Sequence, residues 1–188
     1  MKRSIYFIFA SLIFAAGVFA QERTKIDPIK VGEIAPDFRL MDQNGRPVRL
    51  ATLNQPALLV FYRGYWCPFC ARQLADLRSL PKSQDKFKVF AISIDSAEKS
   101  VGLAKKIASD GKGELPFPLL SDPEHRTIDA YGLFDPAYAG ETFEGIARAT
   151  ILILDKDRKV LWASIATDYK KRPSVVELRT AVDTLFGR

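Results

Sequence analysis

Cysteine and histidine are almost missing from this chain: two of the first, Cys67 and Cys70, and one of the second, His125. A structural zinc site wants four Cys or His ligands, and two thiols with a distant imidazole in "SDPEHRT" do not supply them, so no metal is expected. Long apolar runs are also scarce. Beyond the first twenty residues no segment has the roughly 20 consecutive apolar residues that span a bilayer. Repeats and low-complexity tracts are absent from the sequence. Basic residues outnumber acidic ones, for a formal net charge of +6, but they are scattered. Their one cluster, Lys170 to Arg172, has no interleaved aromatics, so nucleic-acid binding is not expected.

The opening "MKRSIYFIFASLIFAAGVFA" has the three parts of a secretory signal: Lys2 and Arg3, an apolar middle, and small residues at Val18 and Ala20. Cleavage is expected after Ala20, leaving Gln21 to Arg188 as one exported domain in the periplasm or cell envelope. An uncleaved anchor is the competing reading, disfavoured by the shortness of the apolar run. No cysteine follows the cleavage site to carry a lipid.

"FRLMDQNGRPVRLATL" alternates around Asn44-Gly45, the dipeptide suited to a tight hairpin turn. Ala57 to Tyr62 and Lys88 to Ile94 are continuous apolar runs, as expected of strands buried on both faces. Leu74, Leu77 and Leu80 have helical spacing, and Pro81 stops that helix. Asp95 or Ser96 caps a second helix that Gly111 ends. "FPLLSDPEHRTIDAYGL" reads as a short strand, a turn and a short helix, with His125 capping or packing locally. "RATILILDKDRKVLWASI" is a second hairpin turning at Asp155 to Arg158, and a last helix starts at Pro173. Strands alternating with helices in this way predict an α/β domain with a mixed sheet. The two cysteines then lie at the carboxyl end of a central strand, where such sheets place their sites.

That position matters for a thiol. Unpaired amides and the helix dipole at a strand-to-helix junction favour the thiolate, which is the nucleophile. Pro68 lacks an N–H and has a pre-set φ, which suits the first helical turn. In "WCPFC" the second thiol can attack a mixed disulfide or sulfenic acid formed at the first, so the spacing encodes a two-electron shuttle. A two-residue loop gains little as a mere staple. Such a pair needs no metal, flavin or nicotinamide, but it needs a thiol electron donor. A permanently oxidised, redox-inert binding module is the alternative from another class.

Four stretches in order, "VGEIAPDFRLMDQNGRPVRL", "LLVFYRGYWCPFCARQL", "PFPLLSDPEHRTIDAYGL" and "ARATILILDKDRKVLW", resemble the thioredoxin-fold redoxins, in particular the peroxiredoxin-like alkyl hydroperoxide reductase/thiol-specific antioxidant (AhpC/TSA) family. The resemblance implies a thioredoxin-like fold with a central mixed sheet flanked by helices and an N-terminal hairpin extension. It also implies reduction of peroxides at the expense of a thioredoxin-like or small-molecule thiol. Laid on the family pattern Pro-x-x-x-Thr-x-x-Cys, the chain puts Cys70 on the peroxidatic cysteine, Arg63 on the proline and Cys67 on the threonine. Gln73 stands where many members have Glu. As a thioredoxin-type protein-disulfide reductase or oxidant, "WCPFC" makes Cys67 the attacking thiol and Cys70 the resolving one. Yet "RAT" replaces that group's cis-proline and resembles the peroxiredoxin arginine. Arg148 is therefore expected to stabilise a thiolate and polarise a peroxide oxygen. Trp66 is expected to shield the disulfide or form a substrate platform, and Arg63 to add positive potential or to snorkel. Tyr62 and Tyr65 are expected to pack. Helix-start geometry favours Cys67 as first nucleophile.

Overall fold

A computed structural model describes residues 26–187. The expected signal segment lies outside the described residues. Seven strands form one mixed sheet: β1 (Arg39–Asp42), β2 (Pro47–Arg49), β3 (Ala57–Phe61), β4 (Lys88–Ser93), β5 (Leu119–Ser121), β6 (Thr150–Leu154) and β7 (Val160–Ile165), in the order β2-β1-β5-β4-β3-β6-β7. The helices are α1 (Pro68–Asp76), α2 (Ala97–Ala108), α3 (Arg126–Ala130) and α4 (Val175–Phe186).

β3 and β4 pair in parallel, which requires a crossover, and α1 provides it. β6 returns antiparallel on the other side of β3, with Phe61 opposite Thr150. Side chains alternate across a strand, and here the alternation sorts two cores. Leu58, Val60 and Tyr62 face one cluster with Leu74 of α1, Leu103 and Ile107 of α2, and Leu178 and Val182 of α4. Ala57, Leu59 and Phe61 face the other, with Phe38, Leu50, Ile128 and Tyr131.

The expected hairpin forms around Gly45, at φ +75°, and the Asp42 carboxylate accepts the amides of Asn44 and Arg46. It joins the sheet through Met41 and Asp42, which pair with Ser121 and Leu120 of β5. The cap of α2 is Ser96, whose hydroxyl accepts the Lys99 amide. The helix after the cysteines is shorter than its leucine spacing predicts: α1 closes at Asp76 and tightens into a 3-10 turn over Leu77–Ser79. His125 takes the position before α3 at φ +45°, and its Nδ1 lies 2.7 Å from Asp129 Oδ2.

Candidate active site

The carboxyl ends of β3 and β4 and the amino end of β6 meet at one edge. There the chain leaves β3 through Tyr62, Arg63, Gly64, Tyr65 and Trp66 before entering α1. Gly64 sits at φ +152°, and a Cβ there would stand 2.8 Å from Trp66 Nε1, so glycine is required for this close turn. Cys67 is the N-cap of α1 with extended backbone, and Pro68 follows in the first turn, as its missing N–H permits. The Cys67 amide donates to the Gly64 carbonyl at 3.1 Å, and the Cys67 carbonyl accepts from Cys70 and Ala71.

Both cysteines are free thiols, 1% and 0% exposed. They are driven apart in acidity. The Cys70 thiol donates toward the Cys67 sulfur. That contact, followed by the facing amides of Cys70 and Phe69 and by the Arg63 guanidinium, lowers the Cys67 pKa to about 6 against the penalty of burial. Neither amide makes a full capping hydrogen bond. Giving its hydrogen to Cys67, being buried, and lying beside a negative neighbour all push the Cys70 thiol up. The pair is thus polarised, with the thiolate favoured at Cys67 and the thiol at Cys70.

Arg63 neither snorkels nor reaches water: it is 3% exposed. Its guanidinium lies 4.1 Å from the ring centroid of Tyr169, 4.9 Å from Tyr138 and 5.0 Å from Trp66, and donates a short hydrogen bond to the Tyr138 hydroxyl. An aromatic cage of this kind stabilises a cation that burial would otherwise penalise. Trp66 in turn stacks on Phe143 at 4.6 Å, so the loop carrying Tyr138 and Phe143 closes over the front of the site. Tyr65 departs from the packing expected of it, being exposed with Lys99 over its ring. Tyr62 is fully buried with Ser93, Asp95 and Ser100 around its hydroxyl, and burial raises the Asp95 pKa.

Arg148 lies two residues before β6, at the same edge, and its Nη2 donates to the Gly132 carbonyl at 2.9 Å. Its Nε has no partner among the described residues. The cations that act on the sulfurs are Arg63 on Cys67 and Arg172 on Cys70. Arg172 is the residue that sequence reasoning missed. It donates through Nε to Gln73 Oε1 at 3.0 Å and through Nη2 to Cys70 Sγ at 3.9 Å. The sequence signal for it is the basic cluster Lys170 to Arg172, which by itself points only away from nucleic-acid binding. Tyr169, just before it, makes an edge contact with Phe69 as well as covering Arg63.

Residues 31–163 match the AhpC/TSA family model. The chain belongs to the AhpC/TSA family. It is 35% identical over 142 residues to Peroxiredoxin Bcp of Escherichia coli K12, covering 72% of this chain and 85% of that protein. The crystal structure of Peroxidoxin BcpB from Mycobacterium tuberculosis superposes with a TM-score of 0.68 at 27% identity, over 84% of this chain and 96% of that one. A peroxiredoxin-like protein from Aquifex aeolicus shares the fold at a TM-score of 0.74 and 17% identity, over 86% of this chain and 91% of that one. This AhpC/TSA chain is thus a thioredoxin-fold, peroxiredoxin-like oxidoreductase.

Proposed function

We propose that this protein is an exported thiol peroxidase that reduces hydroperoxides with the Cys67/Cys70 pair. The observation that carries the reading is two buried thiols at one helix start, pushed to opposite acidity, with a caged guanidinium on the side of the more acidic one. The Cys67 thiolate attacks the distal oxygen of the peroxide; an S–O bond forms, the O–O bond breaks, and the alcohol or water leaves with a proton from solvent. Cys70 then attacks the sulfenic sulfur. The S–S bond forms, and hydroxide departs with the Cys70 proton as water. Arg63 holds the thiolate, and Arg148, at the same edge of the sheet, is the residue proposed to polarise the peroxide oxygen. Two thiol equivalents from an external donor restore the pair.

One observation favours the reverse order. Arg172 lies against Cys70 rather than Cys67, and a guanidinium there would stabilise a Cys70 thiolate. The two orders separate in single variants treated with peroxide. With Cys67 first, Cys70→Ser accumulates sulfenic acid on Cys67; with Cys70 first, Cys67→Ser accumulates it on Cys70. Stopped-flow rates against hydrogen peroxide and a model protein disulfide test the substrate. A faster reaction with the protein disulfide replaces the peroxidase reading with a thioredoxin-type one. For export, N-terminal sequencing of the purified protein is expected to begin at Gln21, and Met1 on a membrane-extracted form refutes it.

A further inference from the structure

The reducing half of this cycle needs a donor, and the structure holds a cleft beside the pair that the peroxide step does not use. It has a volume of about 510 Å³ and lies between α1 and the start of α4. Phe69, one residue from Cys70, lies at its wall, so it opens beside the first turn of α1. Arg72, Lys170 and Arg172 line it against a single carboxylate, Asp76. The first turn of α4 adds the partial positive charge of its amides, offset in part by Glu177 in the same turn.

Two further details point to an anion. Gln73 is 7% exposed and lines the cleft, and its Nε2 has no partner among the described residues. Its Oε1 accepts from Arg172, but a neutral amide leaves the guanidinium charge uncancelled. Three cations therefore line a cleft of ligand size with one acid to balance them, and Gln73 in its wall keeps a buried donor uncommitted.

We propose that this cleft binds the carboxylate of a small anionic thiol that reduces the Cys67–Cys70 disulfide. The inference rests on the peroxidase reading for the source of that disulfide. The donor thiolate attacks the Cys70 sulfur, which lies on the side of the cleft, the S–S bond breaks, and Cys67 leaves as the thiolate beside Arg63. A second donor thiolate attacks the donor sulfur of the mixed disulfide, releasing the donor disulfide and the Cys70 thiolate, which takes a proton from solvent while Cys67 stays a thiolate. A small donor fits better than a protein one because both sulfurs are buried.

The test reduces oxidised full-length protein with 3-mercaptopropionate, 2-mercaptoethanol and cysteamine at low ionic strength, with each rate expressed per thiolate. One equivalent of hydroperoxide makes the disulfide. If it does not, the peroxidase reading has failed, and diamide oxidation still allows the cleft to be tested. The expected result is a rate with 3-mercaptopropionate about tenfold above 2-mercaptoethanol, the lower end of what a charge-lined cleft does to association, with cysteamine slowest. The Arg72→Gln/Lys170→Gln protein should bring that ratio within about twofold, and its 2-mercaptoethanol rate reports that it is folded. Removing the same charge at the far end of the sheet, in Lys156→Gln/Lys159→Gln, should leave the ratio above about fivefold. A wild-type ratio below about threefold, a ratio that survives the cleft variant, or an equal loss in the remote variant overturns the proposal.

Discussion

The two faces of the central sheet are built from alternate residues of the same strands, yet they do different work. The face of Leu59, Phe61, Phe90 and Leu152 is closed by Phe38, Leu50, Ile128 and Tyr131, and its one large polar group is settled: the Tyr131 hydroxyl donates to the Pro36 carbonyl at 2.8 Å. The face of Leu58, Val60 and Tyr62 includes both cysteines in its core. Around it lie buried nitrogens of Arg63 and Gln73 with no partner among the described residues. Leaving such groups unpaired costs about 1–3 kcal/mol each, which a purely structural core avoids. The difference teaches that one layer supplies stability while the other holds reactive and uncommitted polar atoms at its edge, where a substrate can complete them.

The sharpest way to break this division is to remove the nucleophile. Cys67→Ser is expected to lower peroxide consumption by at least about three orders of magnitude while the urea-unfolding midpoint stays near wild type; a peroxidase assay paired with a denaturation curve checks both. The opposite experiment is Leu59→Ala on the stabilising face. It should cost about 2–5 kcal/mol in urea unfolding, with Cys67 still titrating near pH 6. A large change in the Cys67 titration would show that the two layers are not separable.

A smaller effect sharpens the electrostatics. Arg63→Gln removes the cation beside Cys67 and should raise its pKa by about one unit. The sign follows from the charge: the thiolate is the reactive form, so alkylation falls tenfold per pH unit below the midpoint, and the variant's midpoint moves up from about 6. Iodoacetamide rates between pH 4 and 9 measure it. Tyr138→Phe keeps the ring over Arg63 but loses the hydroxyl that accepts from it, so the same assay should show a shift in the same direction of only a few tenths of a unit.

Much of this architecture is legible in the sequence because its signals are local. Continuous apolar runs mark β3 and β4, Asn44-Gly45 marks the hairpin, and Pro68 after Cys67 marks a helix start. β3 ends at Phe61 rather than Tyr62, although the Tyr62 amide still donates to the Ile92 carbonyl, so the expected boundary differs by one residue. A continuous apolar run, however, hides which of its residues face which core; only the closing layers reveal the sorting. The site was half legible for the same reason. The cysteines and their junction are adjacent in sequence, whereas the Arg63 cage draws on three separate segments. Arg172 meets Cys70 across 102 positions, and nothing in "DYKKRP" marks it as more than exposed charge. Tyr138 and Phe143 lie in a loop with no periodicity to read.

The mechanism depends on the two sulfurs being held at opposite acidity, with Cys67 the thiolate. The most direct test alkylates the reduced protein with substoichiometric iodoacetamide across pH 4–9 and quantifies each cysteine by mass spectrometry. Cys67 is expected to be modified first, with a midpoint near pH 6, while Cys70 stays unmodified through neutrality. Prior modification of Cys70, or a Cys67 midpoint at the ordinary thiol value of about 8.5, would contradict it.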